Sequence, residues 1–351
     1  MLKRSAHAKG KVGAMADRKP ASIKDVARLA GVSEQTVSRT VHDSPAVRPA
    51  TKEKVRRAIA ELGYRPSNAG RALRRGRYMA LGIAMGNISE TGNRDRLEMF
   101  VDAAAAQGYT IVLLKMDREE PLSLGQAADR MSSLSIDGMI YVLNRTPEDF
   151  DTFVPRAGLP EVIISMHDHP VCPTVDSDQE ASARAVVNYL VERGHTKIWH
   201  ISGPLRSLAG VARESGWRSA MLDNGIEPPR VIAGDWSPES GYAAGVLLAD
   251  KVRSGACTAV FASDDAMAYG CMCALSDAGI SVPDDVSLVG ADDISSTFVP
   301  NSRLTSLHFD NSAIAEWAIG KLVIPERMED GCNHKLFPGH LVERGSVRDL
   351  R

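Results

Sequence analysis

The sequence predicts a small all-α headpiece of the helix-turn-helix type, followed by an α/β core built from two parallel-sheet subdomains. In residues 20–66, apolar side chains recur with helical spacing in short segments, whereas beyond residue 78 short apolar runs alternate with longer helical segments. Charge divides the 351-residue chain at the same place: residues 1–77 hold 19 Lys and Arg against 6 Asp and Glu, and residues 78–351 hold 23 against 38. We therefore expect the basic part to face a polyanion, and the acidic part to be repelled by one.

The first two helices of the headpiece have clear start and stop signals. Ser22 is a good N-cap for a helix that ends at Gly31. Ser33 caps a second helix in which Val37 and Val41 face inward. Two short helices joined by "AGVS" predict a helix-turn-helix.

A third helix and two less regular segments complete the basic part. The third helix is predicted over "TKEKVRRAIAELGY", opening at Thr51 and ending at Gly63. Residues 67–77 form a linker or short hinge helix whose one large apolar residue is Leu73, and this helix is too short to persist alone. Residues 1–19 are basic, small and aperiodic, so we expect a disordered arm.

The remaining chain, residues 78–351, has the rhythm of an α/β protein. Its apolar runs are "MALGIAM", "YTIVLLK", "DGMIYVL", "EVIIS", "KIWHIS", "TAVFA" and "VSLVG". Helical segments are predicted over 94–107, 178–193, 209–224, 238–254 and 264–279. This alternation indicates parallel sheets covered on both faces, with ligands bound outside the carboxyl ends of the strands.

Composition limits the cellular setting and the covalent chemistry. The five cysteines are scattered and include no CxxC pair, which argues against a disulfide framework or a zinc site. No apolar run is long enough for a transmembrane helix, and the N-terminus lacks the apolar segment of a signal peptide. We expect a cytoplasmic protein with no membrane partner.

Motifs for catalysis and for metal or cofactor binding are missing from the sequence. It contains no GxSxG, no P-loop and no GxGxxG after a strand, so we predict neither an enzyme nor a resident cofactor. Asp264 with Asp265, and His167 with His169, lack further ligands at metal-binding spacing. We interpret them as loop or helix-capping residues.

The stretch "SIKDVARLAGVSEQTVSRTVHDSPAVRPATKEKVRRAIAELGYRPSNAGRALRRGR" resembles the DNA-binding headpiece of the lactose repressor (LacI/GalR) family. Later segments, including "FASDDAMAYG" and "DAGISVPDDVSLVGADD", resemble successive family segments, so that the resemblance covers roughly residues 21–345. The spacing from Gly203 through Arg213 and Trp217 to Trp236 is most similar to the lactose repressor branch. The resemblance implies a dimeric transcription regulator whose core is similar to periplasmic sugar-binding proteins.

The resemblance also implies boundaries for the domains of the chain. The DNA-binding domain would comprise residues 20–66, and the hinge residues 67–77. The boundaries of the two core subdomains are expected at 78–176 with 309–334 for the N-subdomain, and 177–308 with 335–348 for the C-subdomain.

The predicted DNA contacts lie on the second helix and in the hinge. Glu34 and Gln35 are expected to reach base edges in the major groove. The side chains expected to reach phosphates are Ser33, Thr36, Ser38 and Arg39. In the hinge, Asn68 is a further candidate contact, and the resemblance implies that Leu73 wedges between base steps in the minor groove.

The resemblance assigns an effector pocket to the core. Arg213 matches the family's sugar-hydroxyl-binding arginine, and Asp292 matches its partner carboxylate. Trp236 matches an aromatic wall on which an apolar sugar face can stack. Arg118 aligns with a further pocket arginine.

Two pocket positions depart from the lactose repressor branch. Ser263 stands where that branch has an asparagine, and Phe309 stands where it has a glutamine. This part of the pocket is therefore expected to be smaller and more apolar, and the same sugar is not implied.

The predicted function is that of a homodimeric repressor of sugar-utilisation genes, which binds pseudo-palindromic double-stranded operator DNA in the nucleoid. A sugar such as a galactoside or other glycoside would release it. The C-terminus shows no leucine heptad, so we expect no tetramer. A purine-type, corepressor-dependent repressor of the same family is the alternative, and a sugar-binding protein without DNA function is a weaker one.

Overall fold

The chain divides into two units, Met1–Tyr78 and Met79–Arg351, which contain the headpiece and the core. The structure is a computed structural model that describes residues 21–64, 76–86, 88, 91–116, 123–294, 299–324, 331 and 333–351. The predicted N-terminal arm therefore lies outside the described residues, as does most of the predicted hinge.

The headpiece consists of three helices: α1 (Ile23–Ala30), α2 (Glu34–Val41) and α3 (Pro49–Leu62). They share a small apolar core formed by Val26, Ala27, Val37, Val55 and Ala58. Ser22 caps α1 as predicted, in a reciprocal capping box with Asp25, and Gly31 ends the helix at a left-handed φ of 65°. The prediction for the third helix was two residues short at its start, because Pro49 has a fixed φ that suits the first helical position.

The first subdomain of the core is built on a six-stranded, wholly parallel sheet. In chain order its strands are β1 (Ala80–Met85), β2 (Thr110–Lys115), β3 (Met139–Val142), β4 (Glu161–Ile164), β5 (Thr174–Asp178) and β11 (His334–Pro338). Their order across the sheet is β11-β5-β4-β3-β1-β2. The helices that pack on it are α4 (Thr91–Ala106), α5 (Leu124–Met131) and α10 (Asn311–Val323).

The second subdomain repeats this plan with one antiparallel edge strand. Its strands are β6 (Ile198–Ser202), β7 (Ile232–Ala233), β8 (Ala259–Ala262), β9 (Ser287–Ala291), β10 (Thr305–His308) and β12 (His340–Val342). The order across the sheet is β12-β10-β9-β8-β6-β7, and only β12 runs antiparallel to its neighbour. Its helices are α6 (Gln179–Glu192), α7 (Leu208–Asp223), α8 (Pro238–Arg253) and α9 (Asp265–Asp277).

Successive residues of each central strand enter different cores, as the two-residue period of a strand requires. In β3, Ile140 packs with α4 and α10, whereas Tyr141 packs with α5. In β8, Val260 packs with α8 and α9, whereas Phe261 packs with α6 and α7. The predicted α/β core with two helix-covered parallel sheets is confirmed.

The chain crosses between the subdomains three times, after β5, after β10 and after β11. The last boundary was misplaced in the prediction: Lys335–Pro338 pair with β5 in the first sheet, so the return lies after Pro338 rather than at residue 334. Backbone pairing at a sheet edge leaves little trace in a short, half-polar sequence. Among the described residues, no helix has the length and apolar character needed to cross a membrane.

Candidate functional site

Helix α2 presents the predicted DNA-contacting residues on its outer side. Glu34, Gln35 and Arg39 are exposed, whereas Val37 and Thr40 are buried against the rest of the headpiece. Polar, exposed residues in the first turn of such a helix have the geometry that direct reading of base edges requires.

The remaining predicted contacts of α2 are partly used by the helix itself. Ser33 is its N-cap, and the Ser33 Oγ accepts the backbone N–H of Thr36 at 3.2 Å. The hydroxyls of Ser33 and Thr36 lie 2.9 Å apart. Ser38 is half-buried. The hinge candidates Asn68 and Leu73 lie outside the described residues.

The core contains a cleft at the carboxyl ends of the strands of both sheets. It opens to solvent and is lined by residues of both subdomains. Arg213, Asp292, Trp236 and Phe309 all line it. Four of the predicted effector residues are thus brought together, although α7 and the ends of β7, β9 and β10 supply them from distant parts of the sequence. Arg118 lies outside the described residues.

Arg213 is the centre of the polar network in the cleft. One terminal nitrogen of its guanidinium lies 2.6 Å from Asp292 Oδ1, and its Nε–H donates to Gln179 Oε1 at 2.8 Å. The other terminal nitrogen donates to the Ser263 carbonyl oxygen. The Arg213 side chain is only 5% exposed and that of Asp292 is 21% exposed, so the carboxylate is the more accessible partner.

Two aromatic rings flank this arginine. The guanidinium carbon lies 4.8 Å from the centre of the Phe309 ring and 5.8 Å from that of Trp236. A side chain at Gly203 would overlap the Trp236 ring, so a glycine there gives the indole its space. Rings beside a fixed ion pair offer both an apolar surface and polar groups.

The Ser263 hydroxyl does not point into the cleft, although Ser263 was expected to be a pocket ligand. His200 is fully buried, and burial lowers its pKa to about 3, so its imidazole is neutral. Its Nδ1–H donates to the Phe261 carbonyl at 2.9 Å, which leaves Nε2 to accept the Ser263 hydroxyl at 3.2 Å. The hydroxyl therefore points into the core, and only the Ser263 carbonyl serves the cleft, by holding Arg213.

The backbone at the cleft contains two non-glycine residues in the left-handed region. Trp236 has a φ of 71° and Asp292 a φ of 84°. Such conformations are costly for residues with a Cβ, and they persist where the surrounding structure fixes them at functional sites. The two side chains are thereby held in place before any ligand arrives.

The sequence did not indicate a second charged group in the cleft. Arg96 on α4 and Asp176 in β5 form an ion pair of 3.0 Å, and Asn311 at the start of α10 contacts Arg96. A carboxylate inside the strand "TVDSD" was the one available signal, since a charged residue in a buried strand requires a partner. Gln179, which orients Arg213, was missed as well.

Of the residues interpreted as loop or helix-capping groups, Asp264 caps a helix. Asp264 caps α9 by accepting the backbone N–H of Met267 at 2.7 Å, and burial, followed by the nearby Asp292, raises its pKa well above the usual value. Asp265 accepts the Ser306 hydroxyl. His169 Nδ1 accepts backbone N–H groups in its own loop. The described part of the chain contains no group of three or more His, Cys, Asp or Glu arranged to hold a metal ion.

Comparisons with known proteins cover both units of the chain. Residues 22–67 match the model for bacterial regulatory proteins of the lacI family, and residues 187–347 match a periplasmic binding protein-like domain. The HTH-type transcriptional repressor PurR of Pectobacterium atrosepticum is 32% identical over 341 residues, which are 94% of this chain and 97% of that protein.

Solved structures give the same assignment. The Lac repressor dimer bound to operator and the anti-inducer ONPF has a TM-score of 0.75 and 26% identity, covering 94% of this chain and 100% of that one. The complex of the transcriptional regulator CelR with cellobiose has a TM-score of 0.62 and 29% identity, covering 93% and 99%. The similarity extends through headpiece and core together, and it confirms the family that the sequence motifs indicated: this chain belongs to the lacI family of bacterial regulatory proteins.

Proposed function

We propose that this protein is a cytoplasmic, homodimeric transcriptional repressor that binds a pseudo-palindromic operator through α2 and leaves it when a neutral sugar occupies the cleft. The observation that carries the proposal is the cleft of Arg213, Asp292, Trp236 and Phe309, present in the same chain as a lacI-family headpiece. The family is one of regulatory proteins, and the proposal assigns no catalytic step to the chain.

On the DNA side, some residues of α2 contact base edges and others contact phosphates. Glu34 accepts from cytosine and Gln35 pairs with adenine in the major groove, because both stand exposed at the start of the helix. Ser33, Thr36, Ser38 and Arg39 contact phosphates and fix the register. For the hinge, Asn68 as a contact and Leu73 as a minor-groove wedge remain predictions from the family resemblance.

On the effector side, the chemistry of the cleft suits a polyol. A hydroxyl both donates and accepts, so it can accept from a guanidinium while donating to the adjacent carboxylate, as the pair of Arg213 and Asp292 allows. The apolar face of a sugar ring can stack on Trp236 or Phe309. The similarity to CelR, whose structure contains cellobiose, supports a sugar. The similarity to PurR is the reason to test a purine as the alternative.

Regulation would follow from linkage between the two sites. A ligand that prefers the non-binding conformation of the dimer lowers operator affinity by its differential affinity for the two conformations. A 100-fold release requires about 2.7 kcal/mol of such preference. Separation of paired hinges by movement of the subdomains is the predicted route.

Fluorescence anisotropy tests the proposal on purified protein bound to labelled DNA from upstream of its own gene, titrated with galactosides, glucosides and purines. We expect one sugar to release the DNA. Tighter DNA binding in the presence of a purine would show that the effector is a corepressor and not an inducer. Absence of binding to that DNA, with intact binding of a sugar, would contradict regulation of its own gene.

A further inference from the structure

The cleft contains two ion pairs, and each pair comes from a different subdomain. Arg213 and Asp292 belong to the second subdomain, whereas Arg96 and Asp176 belong to the first. The side chains of Arg96 and Asp176 are 14% and 8% exposed, and both line the cleft. The two pairs thus provide charged groups from both subdomains.

The pair of Arg96 and Asp176 is extended into a network by Asn311. The Arg96 Nε–H donates to Asn311 Oδ1 at 3.4 Å, and the Asn311 Nδ2 donates to Asp95 Oδ2 at 3.1 Å. Asp176 Oδ1 is shared by Arg96 and by the backbone N–H of Ser177. Each side chain is held from two directions, which fixes its orientation toward the cleft.

Hydrogen-bonding capacity remains in this network after its internal bonds are formed. Within the part of the chain that the structure describes, Asp176 Oδ2 and the second terminal nitrogen of Arg96 have no protein partner. A partly buried guanidinium and carboxylate with open positions are costly unless water or a ligand satisfies them. Adjacent donor and acceptor positions again match a hydroxyl group.

The surroundings of the two pairs differ in apolar character. Trp236 and Phe309 flank Arg213, whereas Arg96 contacts the polar side chains of Asp176 and Asn311, and Asn311 in turn contacts Asp95. Two carboxylates against one guanidinium also make this described network unfavourable for an anion. A ligand unit placed here would be neutral and bound through hydroxyls rather than by stacking.

These groups lie at the crossings between the subdomains. Asp176 in β5 and Gln179 at the start of α6 flank the crossing after β5, whereas Phe309 follows β10 and Asn311 begins α10 at the next crossing. Each crossing therefore supplies one group to the Arg96 network and one to the surroundings of Arg213. A ligand that contacts both pairs therefore contacts residues at the two crossings, about which the subdomains would move.

Resting on the proposed function, we propose that the effector is a neutral oligosaccharide with one sugar unit at each of the two polar pairs, and that Arg96 with Asp176 is the specificity-determining subsite for the second unit. One sugar stacks beside Arg213. The second, rather than an apolar aglycone, hydrogen-bonds to Arg96 and Asp176.

Matched ligands test the proposal by calorimetric titration of the full-length dimer. Lactose is compared with phenyl β-galactoside, and cellobiose with phenyl β-glucoside, since each pair shares a first sugar and differs in the second unit. We expect one disaccharide to bind about 10-fold more tightly than its phenyl partner, the value of one hydrogen bond to a charged group. Equal affinity, or tighter binding of the phenyl glycoside, would overturn the subsite and leave the sugar-responsive repressor intact.

Variants assign the effect to the subsite. Arg96→Leu is expected to remove the preference for the disaccharide by weakening its binding about 10-fold, with less than a twofold change for the phenyl glycoside. Arg94→Leu, an exposed arginine on the same helix, is the control and should change neither affinity. Equal weakening of both ligands by Arg96→Leu would show a merely structural role.

Two further outcomes also decide the proposal. If Arg96→Leu leaves Asp176 unpaired and unfolds the protein, the double variant Arg96→Leu/Asp176→Asn removes both charges and must show the same loss of preference. Binding of a purine with no binding of any saccharide would overturn the proposed sugar response, and this subsite with it.

Discussion

The headpiece and the core place their candidate functional residues in opposite environments. In the headpiece, Glu34 and Gln35 are exposed and make no part of the apolar core. In the core, Arg213 is almost wholly buried, and it is held by groups from α6 and from the residues that directly follow β8 and β9. The candidate DNA-contacting residues can therefore change without affecting the fold, whereas the candidate effector residues are also part of what stabilises it.

This difference fits the two proposed kinds of ligand. A duplex is larger than the headpiece, and the protein can read it only from an exposed surface, where phosphate attraction adds to base contacts. A small molecule is enclosed, so its recognition depends on buried groups whose orientation is fixed beforehand. We therefore expect substitutions of the exposed headpiece residues to change function without changing stability. Substitutions of the buried core residues should change both.

The largest effect is expected for Arg213→Ala. Removing a nearly buried cation leaves Asp292 and Gln179 without their partner, and breaking such a pair costs about 3–5 kcal/mol of unfolding free energy. Sugar affinity should fall by about 100-fold, since charged hydrogen bonds are lost. Urea unfolding and calorimetric titration measure the two effects.

The control is Arg218→Ala, on the same helix but 46% exposed and paired with Glu214. It should change the free energy of unfolding by less than about 0.5 kcal/mol. An Arg213→Ala variant as stable as this control would contradict the coupling of site and stability in the core.

A smaller effect, dependent on pH, is expected for Glu161→Gln. Burial in the first subdomain raises the pKa of Glu161 from 4.5 to about 7. Its contribution to stability is complete below pH 4.5 and is lost as the pH rises through 7, because the unfolded chain ionises first. Glutamine cannot ionise, so the variant should gain about 3 kcal/mol relative to the parent between pH 4.5 and pH 8.

Urea unfolding followed by tryptophan fluorescence measures this gain in the core alone, because all four tryptophans lie beyond residue 78. Glu148→Gln replaces an exposed carboxyl and should show no such dependence. In the headpiece, the pH dependence has the opposite sign. Lys52 lowers the pKa of the exposed Asp43, so the stabilising contribution of the Asp43 carboxylate is lost as the pH falls. A gain that does not depend on pH would show that Glu161 does not titrate in this range.

The smallest effect is expected for Gln35→Ala in the headpiece. Loss of one base contact should weaken operator binding by about 1–2 kcal/mol, roughly 5- to 30-fold, and relax specificity at one base pair. Because Gln35 is exposed, the unfolding free energy should change by less than about 0.5 kcal/mol. Anisotropy on operator variants measures the first effect, and thermal unfolding the second.

Glu61→Ala, an exposed position on α3, is the matched control and should leave operator affinity unchanged. If both variants bind the operator as the parent does, α2 is not the helix that reads bases.

Much of the headpiece was predictable because its signals are local. The caps Ser22 and Ser33 and the stop at Gly31 each act within one helical turn, and the structure places them as the sequence indicates. The error at the start of α3 came from neglecting Pro49 as a first-turn residue.

The core was predictable in class but not in detail. Periodicity indicated the alternation of strands and helices, while family resemblance indicated Arg213, Asp292 and Trp236, which the fold brings together. The inward turn of the Ser263 hydroxyl could not be read from the chain, since it depends on the tautomer of a buried histidine.

By itself, then, the sequence determined the first two helices of the headpiece, the separation of basic from acidic parts and the α/β class of the core, because each follows from spacing and composition along the chain. The tertiary structure decided which charged groups share the cleft. Arg96, Asp176 and Asn311 are far apart in sequence and meet only where a helix, a strand and a crossing converge. Such a meeting depends on long-range packing, which no local pattern encodes.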